Sequence, residues 1–258
     1  MFSHPAVKKT YPVQALPDSF DAAEKWPNCP SINTIRDQSA CGSCWAFGAA
    51  EAISDRYCTY GGPANLSISA NDLVACCTDC GNGCGGGDPL TAWTYWFQNG
   101  LVDSACDPYP FPTCEHHIPV NHYPACPSAE YPSPRCKKTC NNSATWTGSL
   151  HFGATSWSLS GEAAFQQELF TNGPFEVVFE VYEDFPTYKS GVYSHVSGGL
   201  LGGHAVKVTG WGTLNGTPYW KIANSWNPDW GMTGFFLIAR GSDECGIEDS
   251  GSAGSPKL

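Results

Sequence analysis

The stretch Gln38-Ser39-Ala40-Cys41-Gly42-Ser43-Cys44-Trp45-Ala46-Phe47 decides how the rest of the chain is read. It runs on into Gly48-Ala49-Ala50-Glu51-Ala52-Ile53, so that Trp45, Ala49 and Ile53 recur at i, i+4 and i+8. That spacing predicts a helix with one apolar stripe turned toward a core. Cys44 then falls in the first turn, where unpaired backbone N–H groups and the dipole favour an anion. A thiolate is an anion, so the position is expected to lower the thiol pKa and make Cys44 a nucleophile. Two other uses compete here. Cys41 and Cys44 have the Cys-x-x-Cys spacing of a redox pair or of half a zinc site. Both also fit as structural disulfide cysteines in a cysteine-rich extracytosolic chain.

Around this stretch lie 258 residues, room for one large domain or for two lobes sharing a cleft. Hydrophobic residues reach 41% and charged residues only 14%, with 28 Gly and 20 Pro, which describes a well-cored, loop-rich protein. The net charge of −11 repels phosphate backbones and argues against nucleic-acid binding. It also fits work at acid pH, where part of that charge is neutralised. Fourteen cysteines point to the oxidising secretory route. If Cys44 is free, thirteen remain and at least one more must be unpaired. Sequons at Asn65, Asn141 and Asn215 agree with secretion. No run is long and apolar enough to span a membrane. The start, Met1-Phe2-Ser3-His4-Pro5-Ala6-Val7-Lys8-Lys9, lacks the apolar core of a signal peptide. Residues 1–15 show no periodicity and are expected to form a mobile tail, a pro-segment remnant or a recombinant addition, ahead of a domain spanning 16–258.

Taken in order, Ser69 and Asn71-Asp72 offer N-caps for a short helix that ends in Cys76, Cys77, Cys80 and Cys84. Cys77-x-x-Cys80 has no histidine or second clean pair nearby, so a disulfide knot is expected there instead of zinc. Gly85-Gly86-Gly87 leaves backbone that a bound chain could approach closely. Leu90, Trp93 and Phe97 mark a helix closed by Gly100. Between Cys106 and Cys140 periodicity stops, and five cysteines and eight prolines predict a stapled functional loop. His116 and His117 lie inside it, better suited to charge pairing or gating than to metal. Beyond it, Ser160 is expected to cap a helix through Phe165 and Leu169 that stops at Gly173-Pro174. Strands are predicted at 175–182, 205–211, 219–223 and 235–239, with Asn215-Gly216 as a hairpin turn. Helices first and strands later give an α+β, two-lobed fold.

A cysteine nucleophile needs an imidazole, and the imidazole needs a group to hold its ring. His204 stands out among the seven histidines. Gly202-Gly203 leave room beside its ring, and the strand Ala205-Val206-Lys207-Val208 holds it firmly. Twenty residues on, the Asn224 amide oxygen can accept the second ring N–H and fix the tautomer, with Trp226 sheltering that bond.

With these residues in view, the chain from Leu16 onward resembles the papain family of cysteine peptidases, and within it the cathepsin B group. The motifs that carry the resemblance are Arg36-Asp37-Gln38, Cys41-Gly42-Ser43-Cys44-Trp45-Ala46-Phe47, Cys114-Glu115-His116-His117, Gly202-Gly203-His204-Ala205 and Asn224-Ser225-Trp226. Cys44 and His204 lie somewhat farther apart than the ordinary papain spacing, and the 106–140 insertion accounts for the excess. The resemblance implies a helical left lobe and a β-barrel right lobe, with Cys44 facing His204 across a cleft. Cys44 would attack the scissile carbonyl, His204 would protonate the leaving amine, and Gln38 with the Cys44 N–H would stabilise the oxyanion. It implies substrate contacts at Gly86, Gly87, Val178, Gly203, Ala205, Trp226 and Ser250. It also implies disulfides 29–58, 41–84, 76–136, 77–80, 106–140 and 114–126, with Cys44 and Cys245 left free. Further implications are peptide and protein substrates, cystatin-like and epoxide inhibitors, no metal or cofactor, and a monomer in a lysosomal or acidic endosomal compartment, or secreted. The alternatives are a catalytically silent binding protein on the same fold and a thiol oxidoreductase.

Two departures stand out. In the cathepsin B group the inserted loop accepts a substrate's terminal carboxylate on two histidines and so releases dipeptides. It is clamped by two ion pairs. His116 with Asp37 supplies one, but the Arg expected to face Asp229 is missing, with His122 and Tyr123 in its stead. Ser250 also stands where the group has a Glu that accepts Arg two places before the scissile bond. Val178 and Ala205, as the other walls, then leave a mostly apolar pocket.

Overall fold

The computed structural model describes residues 7–12 and 14–258. In chain order these form β1 (Val7–Lys8), β2 (Phe20–Asp21), α1 (Ala22–Lys25), α2 (Cys44–Thr59), α3 (Ala70–Cys76) and α4 (Pro89–Asn99). After a long loop follow β3 (Gly153–Leu159), α5 (Glu162–Asn172), β4 (Phe175–Tyr182), β5 (Val192–Tyr193), β6 (Leu200–Leu214), β7 (Thr217–Ala223), β8 (Phe235–Ala239) and β9 (Gly251–Pro256). The α+β character and the helices-then-strands order are as expected.

Two separate apolar cores define the lobes. One gathers Trp45, Ala49 and Ile53 from α2 with Leu73, Trp93 and Trp96 from α3 and α4. The other gathers Phe165, Phe175, Phe179, Trp220 and Phe236 around a nine-stranded sheet ordered β1-β3-β9-β4-β6-β7-β8-β5, with β2 paired to β6. Helix α2 runs between them. Its charged residues lie under cover: Lys207 on β6 reaches Asp55 at 2.8 Å, and Arg56 reaches Glu168 on α5 at 2.6 Å, all four side chains wholly buried. Buried charges persist only when paired and hydrogen-bonded. Arg56 meets that condition by donating also to the carbonyls of Pro174, Gly254 and Gly173.

Local chemistry explains the helix ends. Ser69 caps α3 by accepting from Asp72 N, and Gly100 closes α4 at φ 73°. The cap of α5 is Gly161 at φ 87°, not Ser160, and no side chain bonds it. Gly161 adopts the left-handed backbone that a serine would resist, and it donates to Glu248 O while accepting from Phe165 N. Asn215 and Gly216, at φ 50° and 83°, make the β6–β7 turn.

The expected tail is partly ordered onto the protein. Val7 and Lys8 add a parallel strand to β3, and Tyr11 and Gln14 bond to α5. The structural reason is an open strand edge on β3, which an adjoining segment can pair. Residues 1–6 and Val13 lie outside the described residues. The 106–140 loop has no helix or strand and is held by Cys76–Cys136, Cys106–Cys140 and Cys114–Cys126. The other bridges are Cys29–Cys58, Cys41–Cys84 and Cys77–Cys80. These are the six pairs the resemblance implies, with Cys44 and Cys245 free.

Candidate active site

Cys44 opens α2 with Ser43 before it, and its thiol meets the Ala205 backbone of β6 across the lobe boundary. The helix start acts in the expected direction, through the backbone of Trp45 and Cys44, and Ala205 adds to it. Burial outweighs all three and pushes the thiol up from its ordinary value. That corrects the expectation that the helix terminus alone depresses it. The residue as a whole nonetheless keeps part of its surface open.

His204, next to Ala205 on β6, is 5% exposed. Asn224 Oδ1 lies 2.7 Å from its Nε2 and also accepts from Ser225 N at 2.8 Å. An oxygen that already accepts identifies Nε2 as the protonated ring nitrogen and leaves Nδ1 with its lone pair. Burial pushes His204 down to about 4, against the Asn224 bond that raises it. The Trp226 ring, to which the sequence assigned a sheltering role, stacks on this imidazole at 5.0 Å. Thiol and imidazole are therefore each biased toward neutrality by desolvation. Only a proton passed from one to the other produces two charges that compensate each other.

Gln38 is buried beside them. Its Oε1 accepts from Ser225 Oγ at 2.7 Å, and its Nε2 donates to Cys41 O at 2.9 Å. One N–H of that amide remains for an oxyanion. The main chain joins in, with Gln38 N donating to Ser225 O at 2.9 Å and Tyr109 Oη donating to Gln38 O at 2.7 Å. Ser225 and Tyr109 received no role from the sequence. Ser225 sits inside a motif already singled out, whereas Tyr109 comes from the Pro-rich loop and had no signal.

The inserted loop reaches the same place. His116 Nε2 lies 3.0 Å from Asp37 Oδ1, both side chains nearly buried, and Asn227 Nδ2 donates to Asp37 Oδ2 at 2.8 Å. Both loop histidines pack on Trp226, at 5.9 Å for His116 and 4.8 Å for His117. Burial pushes His117 down, and His116 and His204 push it the same way. The second clamp, unexpected for want of an Arg, is present in another form. His122 Nδ1 lies 2.8 Å from Asp229 Oδ2, with the His122 ring stacked on Tyr123 at 4.2 Å.

The remaining wall residues converge. Val178 pairs with Ala205 across β4 and β6, and Val178 N donates to Ser250 O at 3.3 Å. Glu248 is turned away: its carboxylate accepts from Trp220 Nε1, Gly241 N and Asp243 N. Gly86, at φ 99°, faces open space, and a Cβ on Gly87 would strike the Trp45 ring at 2.5 Å. At Gly203 a Cβ would meet only Val178, at 3.8 Å. Glu176 was missed altogether. It is wholly buried, accepts from Trp93 Nε1 at 2.8 Å, and lies so close under α2 that a Cβ on Gly48 would come within 2.7 Å of it. Burial holds its carboxyl far above the usual range, so it stays neutral near Cys44.

A thiol beside a strand that carries a ring-oriented imidazole, with a fixed amide alongside, is the constellation of a cysteine hydrolase. Residues 16–255 match the papain family cysteine proteases, and the chain belongs to that family. Within the family it is a cathepsin B-like cysteine proteinase. It is 52% identical over 255 residues to cathepsin B-like cysteine proteinase 6 of Caenorhabditis elegans, covering 94% of this chain and 67% of that protein. A cathepsin B-like cysteine proteinase of Schistosoma japonicum is 49% identical over 250 residues, covering 93% of this chain and 73% of that one. Among solved structures, a procathepsin B from Trypanosoma congolense superposes with a TM-score of 0.88 at 48% identity, over 98% of this chain and 84% of that chain. A digestive procathepsin L2 proteinase from Tenebrio molitor larval midgut reaches 0.70 at 28% identity, over 95% of this chain and 69% of that chain.

Proposed function

We propose that this peptidase works both as an endopeptidase and as a peptidyl-dipeptidase that removes dipeptides from carboxyl termini. One observation carries the second activity: Trp226 stacks on His204 and also carries His116 and His117, so loop imidazoles stand beside the reacting pair. In the reaction His204 Nδ1 takes the Cys44 proton, and the thiolate sulfur bonds to the scissile carbonyl carbon. The Gln38 amide and the Cys44 N–H receive the oxyanion. The proton on His204 then passes to the departing amine, leaving an acyl-enzyme. His204 next deprotonates a water, whose oxygen attacks that thioester; the C–S bond breaks, the acid product leaves, and the sulfur takes back the proton held by His204. His117, when protonated, pairs with the terminal carboxylate of a substrate two residues beyond the cut. His117→Ala is expected to reduce dipeptide release at least tenfold while an internally cleaved, carboxyl-blocked peptide is cut within twofold of the native rate. Equal losses on both substrates would assign His117 to general catalysis instead. The working setting is a monomer in an acidic compartment or secreted, and among the described residues no helix is long and apolar enough to cross a membrane.

Substrate choice follows from the pocket bounded by Val178, Ala205 and Ser250. A serine there offers no charge to an entering Arg, which would be desolvated without an ion pair. Glu248 is held away from the pocket by the bonds its carboxylate accepts from Trp220 Nε1, Gly241 N and Asp243 N. Phe-Arg substrates are therefore expected to be cleaved much faster than Arg-Arg ones. Ser250→Glu should raise Arg-Arg kcat/KM by roughly the tenfold that 1.4 kcal/mol represents. Comparable kcat/KM for the two substrates in the unaltered enzyme would mean that another acid serves the pocket.

A further inference from the structure

The face of the sheet lobe under the N-terminal arm plays no part in the chemistry above. Strand β3 would be an edge of the sheet but for Val7 and Lys8, which pair in parallel with Trp157 and Ser158. Lys9 N continues the pairing by donating to Ser158 O at 3.0 Å. Strand edges are templates for an added strand, with main-chain bonds giving affinity and alternate side chains giving specificity.

The side chains here supply that specificity. Lys9 Nζ stands 3.6 Å from the centre of the Trp157 ring, well within cation–π range. Two residues on, the Tyr11 hydroxyl donates to Glu168 and accepts from Asn172 Nδ2 at 3.0 Å. The receiving carboxylate is fixed independently of the arm. Glu168 is wholly buried and is held by Arg56 at 2.6 Å and by Trp157 Nε1 at 3.0 Å. A preorganised acceptor of this kind adds affinity because little is ordered on binding. Farther along the arm, Gln14 Nε2 donates to Gln167 Oε1 at 2.6 Å and Gln14 O accepts from Gln167 Nε2 at 3.2 Å. A cavity of about 600 Å³ lies between it and α5, bounded by Pro12, Leu16, Ser160 and Ala164. The arm is thus attached at a strand edge and by the side chains of Lys9, Tyr11 and Gln14, and it lies wholly before the residue 16 at which the family match begins.

We propose that the β3 edge, with Trp157, Glu168 and Asn172, is a strand-docking site for an extended peptide carrying a lysine two residues before a tyrosine. Its resident ligand is this chain's own arm, residues 7–12. The site recognises that segment by the same contacts whether or not it is continuous with Leu16, so a severed arm binds back in trans.

The test uses the full chain carrying Cys44→Ala, to prevent cleavage of the probe, with and without Lys9→Ala and Tyr11→Ala. The probe is a fluorescent peptide with the sequence of residues 5–15, followed by anisotropy. It is expected to bind the arm variant at least tenfold more tightly than the chain whose own arm competes. A probe with both anchors replaced by alanine should bind the arm variant at least tenfold more weakly. Hydrogen exchange at residues 155–159 should speed up in the arm variant and slow again when the probe is added. Equal affinity for the two proteins, indifference to the anchor replacements, or no binding to the arm variant at millimolar probe would each overturn the proposal.

Discussion

Cys44→Ala is expected to lower peptide hydrolysis by a factor on the order of 10⁴ or more, without altering the fold, since Cys44 is in no disulfide. His204→Ala should be about as damaging. Burial raises the Cys44 thiol, so it needs a nearby base, and Nδ1 of His204 is free to serve because Nε2 is engaged by Asn224. The acid limb of the kcat/KM profile follows from the same geometry. His204 is pushed down to about 4, so above that pH the ring is free to accept the proton, and below it the ring is already charged and activity falls. Labelling by a peptidyl epoxide, with the mass gain mapped to Cys44, measures the nucleophile directly. Cys245 should not compete, because burial and Glu244 push its thiol up to about 12. A Cys44→Ala protein that still cut peptides at a tenth of the native rate would rule this mechanism out, as would labelling that persisted at the native rate in His204→Ala.

Dipeptide release should dominate at acid pH and give way to endopeptidase activity as pH rises. The carboxylate capture proposed above would need His117 as imidazolium. Burial, His116 and His204 all lower its pKa, so the charged form is present only on the acid side and is lost as pH climbs. Both clamps on the loop are also histidine–aspartate pairs, His116–Asp37 and His122–Asp229. An Arg at the second clamp would carry a fixed charge on a fork-shaped donor set, which His122 does not offer. The exo/endo ratio is expected to fall about tenfold between about pH 4.5 and 7.5, a span that brackets the histidine reference value. His122→Arg should hold the ratio up at the alkaline end, and His122→Ala should bring the fall forward. A flat ratio across that span, or a His122→Arg protein with the native profile, would refute the clamp mechanism.

The parts legible in advance were those where local chemistry and tertiary need coincide. Phe175–Tyr182 and Phe235–Ala239 alternate or mass apolar β-formers, and both strands have the predicted bounds. Ser69 and Gly100 punctuate α3 and α4 for ordinary capping reasons. Strand β9 was invisible because Gly251-Ser252-Ala253-Gly254-Ser255-Pro256 has almost no β propensity. Its small residues are required by what packs on them: a Cβ on Gly251 would meet Phe165 at 3.0 Å, and one on Gly254 would meet Thr155 O at 2.4 Å. Around the site, the residues themselves singled out Cys44, His204 and Asn224, because each needs a particular functional group, and the family resemblance implied Gln38. It could not reveal that His122 would take the place of an Arg, since that depends on where a disulfide-tied loop sets its ring. The balance of burial against the helix dipole at Cys44 was equally out of reach, because desolvation is a property of the assembled lobes.

Every disulfide lies between Cys29 and Cys140, and none joins that segment to residues 141–258. As the chain leaves the ribosome, all twelve bridging cysteines emerge before the first residue of β3. Oxidation can therefore be completed while the half that carries His204 is still being made, and that later half contributes only Cys245. The finished molecule carries the same asymmetry. One wall of the cleft is covalently cross-linked, whereas the strands of the other are held by hydrogen bonds, packing and ion pairs, so a reductant would loosen first the wall that carries the thiol.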